Sequence, residues 1–293
     1  MKKIVIVGGT ASGKTNLAYN IAKNINGEII SADSRQVYKY LDIGSSKERF
    51  EDIKTHLIDI ITPDQRYSAF LFKNDTKKII QEIELKGKIP IIVGGTGLYT
   101  RALVYNLSLG KNPDFKLRKE LEGKTKEELQ DILYSINPKF KEILNNSDRN
   151  NKIRLIRYIE KGEITDDNFG SGSNRSRSFE NNEYIQVQID MNKDEIIKRI
   201  RNRTNNMIKL GLIDETSNVL GLGYSKEDPG LSMIGYKEAI EFIENKINQQ
   251  ELIDKINQST INLLKRQLTY FGGDKNILTL EDNKILDFIK THI

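Results

Sequence analysis

Cysteine does not occur anywhere in the 293 residues, and histidine occurs only as His56 and His292. The first absence excludes disulfides and thiolate metal sites. The second leaves an imidazole zinc centre short of ligands. No apolar run reaches the roughly 18 residues of a membrane-spanning helix, so no membrane partner is expected. The chain enters a strand pattern almost at once, without the apolar core and small-residue cleavage pattern of a secretory signal. Cytoplasmic residence is the expectation. No internal repeat is visible, nor a heptad seam that demands a dimer, and a monomer is expected. What remains is a soluble composition, 37% hydrophobic and 30% charged, with a length that suggests about two domains. A net charge of +5 permits a nucleic-acid partner without establishing one.

The strongest local signal is at the start. Ile4, Val5, Ile6 and Val7 form an apolar run, followed by Gly8-Gly9-Thr10-Ala11-Ser12-Gly13-Lys14-Thr15. This fits G-x-x-x-x-G-K-[ST], the phosphate-binding turn between a strand and a helix. Gly8 and Gly13 allow a turn tight enough for successive N–H groups to face an anion. The helix that begins near Lys14 adds the positive end of its dipole. Lys14 reaches terminal phosphates, and the Thr15 hydroxyl suits Mg²⁺. A chance match in a chain of this length comes to roughly one in a hundred.

Downstream, residues 28–34 read as a second strand that ends near Asp33, and residues 56–60 as a third. Residues 68–86 have helical spacing. Residues 88–93 form a further buried strand that runs into Gly94-Gly95-Thr96-Gly97. Strands alternating with helices predict a parallel sheet with right-handed crossovers. In such a sheet ligands sit beyond the carboxyl ends of the strands, where Asp33 either faces the phosphate or caps the next helix. The fold class is therefore α/β, a P-loop NTPase-like parallel sheet core flanked by helices, with a mainly helical insertion. The expected divisions are a core over 1–112, the insertion over 113–165, a flexible Gly/Ser/Asn-rich loop over 166–182, and a return to the core over 183–293. In the insertion, Arg154 and Arg157 lie three apart on one helix face, suited to phosphate contacts or to internal salt bridges. Residues 184–189 alternate as a strand, and residues 193–209 and 249–271 read as helices. No carboxylate-rich strand of the Walker B kind stands out, which argues against an ordinary ATPase.

Taken in order, these residues resemble the tRNA dimethylallyltransferase (tRNA isopentenyltransferase) family, in its bacterial type, over nearly the whole chain. Residues 8–15 match its G-P-T-A-S-G-K-T, residues 31–38 its S-x-D-S-x-x-x-Y and residues 93–99 its V-G-G-T-x-L-Y. Asp42-Ile43-Gly44, Asp148-Arg149-Asn150-Asn151 with Arg154-Leu155-Ile156-Arg157, Ile234-Gly235-Tyr236-Lys237-Glu238 and Lys265-Arg266-Gln267 follow. Three departures stand out. Gly9 replaces a proline. In the family's T-R-x-x-A-K-R-Q-x-T-W, Ile261 replaces the arginine and Tyr270 the tryptophan, which puts one RNA or phosphate contact in doubt. The zinc finger of some eukaryotic relatives has no counterpart here.

The resemblance implies transfer of a dimethylallyl group from dimethylallyl diphosphate to N6 of the adenosine 3′ to the anticodon (position 37) in tRNAs that read U-initial codons. It implies Mg²⁺ as cofactor, held through Thr15, and the anticodon stem-loop as macromolecular partner. Asp33 becomes the catalytic carboxylate, and Arg203 stands near the departing diphosphate. Gly8, Gly9, Thr10, Ala11, Ser12, Gly13, Lys14 and Thr15 become the diphosphate-binding residues. The tRNA contacts fall on Asp33, Ser34, Arg35, Gln36, Thr96, Arg118, Ile153, Arg154, Leu155, Ile156 and Arg157, and on Ser232, Met233, Ile234, Gly235, Tyr236 and Lys237. The chemistry agrees: amides, Lys14, a cation and an arginine stabilise a departing diphosphate, and a carboxylate assists a weakly nucleophilic aromatic amine. The competing readings are an enzyme that prenylates AMP, ADP or ATP, a P-loop small-molecule kinase, and a catalytically idle RNA-binding module.

Overall fold

The computed structural model describes residues 2–109, 113–162 and 183–293. The loop expected over 166–182 lies outside the described residues. Contacts divide the chain into two units, Met1–Leu107 with Ser178–Ile293, and Ser108–Arg177.

The larger unit is built on β1 (Lys3–Val7), α1 (Lys14–Ile25), β2 (Gly27–Ser31), β3 (Thr55–His56), α2 (Ala69–Leu85), β4 (Ile89–Gly94) and α3 (Gly97–Val104). The chain leaves for the second unit, α4 (Phe115–Glu122), α5 (Lys126–Ile136), α6 (Phe140–Ile143), α7 (Asn146–Arg149) and α8 (Lys152–Lys161). It returns through β5 (Tyr184–Ile189), α9 (Lys193–Lys209), α10 (Leu212–Gly221), α11 (Tyr236–Ile243), α12 (Gln249–Gly272), β6 (Leu278–Leu280) and α13 (Asp282–His292).

The six strands are all parallel in the order β3-β2-β4-β1-β5-β6. A central parallel strand is covered on both faces and must be apolar throughout, and Ile4, Val5 and Ile6 are fully buried. Ile4 pairs with Ile91 on one side and Ile185 on the other. One apolar layer joins Leu17 and Ile21 of α1 and Ile285 and Ile289 of α13 to Ile4, Ile29 and Ile91 of the sheet.

Two strand boundaries differ from the sequence reading. β2 stops at Ser31, short of Asp33. The third strand is only Thr55–His56, because Leu57 and Asp59 take left-handed φ values of 61° and 57° that no strand accommodates.

Neighbouring strands β2, β4 and β1 place three loops side by side at their carboxyl ends. Gly94 is needed where two of these loops meet: a Cβ there would lie 2.2 Å from the Ala32 carbonyl oxygen. The segment after Asp33 is held by the C-terminal helices. Val37, Tyr38 and Leu41 pack with Leu212, Tyr236 and Leu252. The Glu215 carboxylate of α10 accepts the N–H groups of Asp42 (2.9 Å) and Ile43 (3.0 Å) and the Tyr236 hydroxyl (2.6 Å).

The helical unit has its own core, in which Leu129, Leu133, Phe140 and Leu155 are fully buried. A reciprocal cap between Thr125 and Glu128 starts α5. Glu160 receives a two-pronged hydrogen bond from Arg118, at 2.9 and 2.6 Å, and another from Arg157 at 2.9 Å. Arg154 bonds the buried Asp148 at 2.6 Å.

Candidate active site

The three loops surround a cavity of about 680 Å³ in the larger unit. On one side is the turn after β1. Gly8 and Gly13 have φ values of 148° and 86°, and Ala11 takes 62°, a left-handed value uncommon for a residue with a side chain. Gly13 precedes α1 without a side-chain cap, so the first N–H groups of that helix stay open to an anion. Lys14 donates to the Gly9 carbonyl at 3.0 Å. The Ser12 hydroxyl is buried with no hydrogen-bond partner among the described residues, which fits a group waiting for a phosphate oxygen.

Asp33 enters the cavity from the loop after β2, its Oδ1 accepting the Arg35 N–H at 2.9 Å. No helix follows before β3, so this bond closes a turn and is not a helix cap, and it occupies one carboxylate oxygen. Thr96, from the loop after β4, accepts the Ser34 N–H at 3.0 Å and donates to the Ser34 hydroxyl at 3.2 Å.

Arg203 comes from α9 and donates to the Thr10 hydroxyl at 2.8 Å. It forms no ion pair among the described residues. Burial, reinforced by the nearby charge of Arg35, pulls its pKa down to about 10 against the opposing pull of Asp33 and Glu48. Burial likewise lowers Lys14 to about 8, partly offset by Asp33, and lowers Arg35. Glu48, facing Arg203 and Lys14, is raised by burial. Three desolvated cations thus share a cavity with two carboxylates. An anion entering here repairs an electrostatic deficit that the folded chain leaves open.

One face of α12 lies over both glycine-rich turns. Leu264 covers Gly9, Gln267 covers Gly95 and Tyr270 covers Gly97: a Cβ on each glycine would fall 2.3 to 2.4 Å from those side chains. Spacings of three along a helix keep such residues on one face, and the glycines at 9, 95 and 97 are explained by this close approach. Ile261, on the same helix, joins Ile196, Ile200 and Leu264 in an apolar cluster against Ala11. In this chain that position serves packing.

Of the residues singled out from sequence, Thr10, Ala11, Ser12, Gly13, Lys14, Thr15, Asp33, Ser34, Arg35, Gln36, Thr96 and Arg203 line the one cavity. Gly8 and Gly9, expected among the diphosphate-binding residues, do not line it. Tyr236 is fully buried, its hydroxyl accepting the Gly44 N–H at 3.0 Å. Ser232 bonds the Pro229 carbonyl, and the Gly235 N–H is taken by Glu238. Met233 and Ile234 pack at the margin of that core, and Lys237 lies 3.5 Å from Glu238. In the helical unit Ile153 is 78% exposed, Leu155 and Ile156 are buried, and the three arginines hold carboxylates. Glu48, Arg199, Arg266, Gln267 and Tyr270 also line the cavity, and sequence reasoning did not assign them to the site. The K-R-Q run was visible, but only the packing of α12 shows which way its side chains face.

Fold and site define a P-loop-like protein whose cavity combines a glycine-rich turn with open N–H groups and a separate carboxylate, a design suited to group transfer. Family models agree with this. Residues 36–274 match that of the IPP transferases and residues 1–59 that of the isopentenyl transferases. The chain belongs to the IPP transferase family. It is 38% identical to the tRNA dimethylallyltransferase of Acetivibrio thermocellus, over 99% of this chain and 96% of that one. It is 40% identical to the protein of the same description from Endomicrobium trichonymphae, over 94% of each. The crystal structure of the full-length tRNA isopentenylpyrophosphate transferase of Bacillus halodurans superposes with a TM-score of 0.73 at 32% identity, covering 99% and 96% of the two chains. Among the described residues no helix is long and apolar enough to cross a membrane.

Proposed function

We propose that this protein transfers a dimethylallyl group from dimethylallyl diphosphate to N6 of an adenosine in tRNA, the nucleotide 3′ to the anticodon in tRNAs that read U-initial codons. The observation that carries the reading is the single cavity that holds Lys14, Arg35 and Arg203, desolvated, together with Asp33. The N6 nitrogen attacks C1 of the dimethylallyl group, the bond from C1 to the diphosphate oxygen breaks, and diphosphate leaves with the electron pair. The turn amides, Lys14, Ser12 and Arg203 meet the charge that builds on it. The N6 proton passes to the free oxygen of Asp33. The adenine must leave its stack to reach this depth.

No cluster of three or more His, Asp or Glu side chains able to hold a metal occurs among the described residues. Thr15 lines the cavity, and a P-loop hydroxyl together with substrate phosphate oxygens and water suits Mg²⁺. Such an ion, when bound there, would supply charge neutralisation to the leaving group.

The assay is transfer of labelled dimethylallyl to an unmodified tRNA with adenosine 3′ to the anticodon, to the same tRNA lacking that adenosine, and to AMP. Label on the intact tRNA alone is expected. Label on AMP would assign the chain to the mononucleotide branch.

The lysine gives a pH signature. Lys14 binds the diphosphate as a cation, and burial sets its pKa near 8. It is charged below that value and neutral above it. Hence kcat/KM for dimethylallyl diphosphate, which reports the free enzyme, should fall as pH rises through about 8, and Lys14→Arg should remove that limb.

A further inference from the structure

Between the diphosphate cradle and the loop that carries Asp33 runs a path of hydrogen bonds joined through the covalent structure of Thr10 and of Gly95-Thr96, and Gln267 is its middle link. Arg203 donates to the Thr10 hydroxyl at 2.8 Å. The Thr10 N–H donates to Gln267 Oε1 at 2.9 Å. Gln267 Nε2 donates to the Gly95 carbonyl at 2.9 Å. Next along the chain, the Thr96 N–H donates to the Ala32 carbonyl at 3.2 Å, and the Thr96 hydroxyl accepts the Ser34 N–H at 3.0 Å. Ala32 and Ser34 are the two neighbours of Asp33.

Both ends of one amide are therefore used, its oxygen on the turn that holds the leaving group and its nitrogen on the turn that anchors the base. A side-chain amide offers donor and acceptor on one planar group, and Gln267 uses both. Gly95 has no room for a Cβ because Gln267 Nε2 would lie 2.4 Å from it, so the contact is built from both sides. The Thr10 N–H, engaged in this way, is withdrawn from the set of amides that face the phosphate.

We infer that Gln267 is a positioning residue for the transfer step: it sets the spacing between the departing diphosphate and Asp33. It does not bind either substrate through its own chemistry. This rests on the prenyl-transfer reading above. A bond that fixes relative position acts on turnover more than on ground-state binding, because a displacement of about 1 Å between reacting groups can cost up to about 10²-fold in rate.

The test is steady-state prenyl transfer by Gln267→Met, which keeps the side chain's length and volume but removes both hydrogen bonds, alongside the native enzyme. The expected result is a fall in kcat of about 10- to 10²-fold, with KM for dimethylallyl diphosphate within about twofold and an unchanged thermal midpoint. Gln267→Glu is the second variant, since its oxygen still accepts the Thr10 N–H but nothing donates to Gly95. Its kcat should also fall, and its KM for the diphosphate should rise from the added negative charge. Full kcat in either folded variant overturns the inference, as does a loss of activity that follows only a loss of folded protein in both. If the native enzyme transfers no label, it is the functional reading that fails, and the two failures are told apart in one experiment.

Discussion

Asparagine in place of Asp33 is expected to lower kcat for prenyl transfer by about 10²- to 10⁴-fold, the range for loss of a positioned general base, while the protein stays folded. The substitution is clean because of what the carboxylate does in the folded chain. One of its oxygens accepts the Arg35 N–H, and an asparagine oxygen can keep that bond, so the local turn survives. What disappears is the negative charge and the proton acceptor. That charge also opposes the fall in the pKa of Lys14 and Arg35. Its removal leaves the cavity more positive, so KM for the diphosphate substrate should stay level or drop. The alkaline limb of kcat/KM should shift below the native value of about 8. A kcat collapse with an undiminished affinity for the diphosphate separates a base from a binding residue. An Asp33→Asn enzyme that turned over at the native rate would reduce the residue to a turn former and remove the proposed mechanism.

The second large effect is expected at the contact between Gly9 and Leu264. A methyl group at position 9 would fall 2.3 Å from Leu264 Cδ1. Leu264 is 1% exposed and packed with Ile196 and Ile200, so its tip has little room to swing aside. Gly9→Ala should therefore cost about 1–3 kcal/mol as an overpacked core does. Leu264→Ala should cost about 2–5 kcal/mol as a cavity. The double variant should be more stable than the sum of the two by about 1–3 kcal/mol, since each change makes space for or fills the other. Urea midpoints of the four proteins measure this. Strict additivity would show that the two positions do not share the same volume.

That pair also accounts for Gly9, where the family pattern has proline: proline has a Cβ, and Leu264 leaves no room for one. The sequence displays the departure, but nothing in a linear reading says that residues 255 apart touch.

Other parts were legible in advance for reasons equally physical. The strand and turn of residues 4–15 could be read because the apolar run, the glycines and the lysine are consecutive, and their local geometry needs little from the rest of the chain. Alternating apolar runs gave the parallel sheet. The third strand was overextended because Leu57 and Asp59 adopt left-handed backbone, which side-chain hydrophobicity does not reveal. The arginines at 154 and 157 left two roles open in the sequence, and Arg118 was expected at the RNA by resemblance alone. In the fold they hold Glu160 and Asp148, and any contact they make with RNA has to share those charges.

By itself the sequence determined the glycine-rich turn after β1, the α/β class, the helical character of residues 114–161 and the family, because each depends on residues close in the chain or on ordered motifs. The tertiary structure decided which side chains face one another: Arg203 on Thr10, Gln267 between two glycine turns, Tyr236 in the core, and Glu48 and Arg266 at the cavity. The contacts of Arg203 and Gln267 come from the packing of α9 and α12 onto loops 172 to 257 residues away in the chain. They are set by the volume and hydrogen-bond capacity of the surfaces that meet, quantities that exist only once the helices have packed against the sheet.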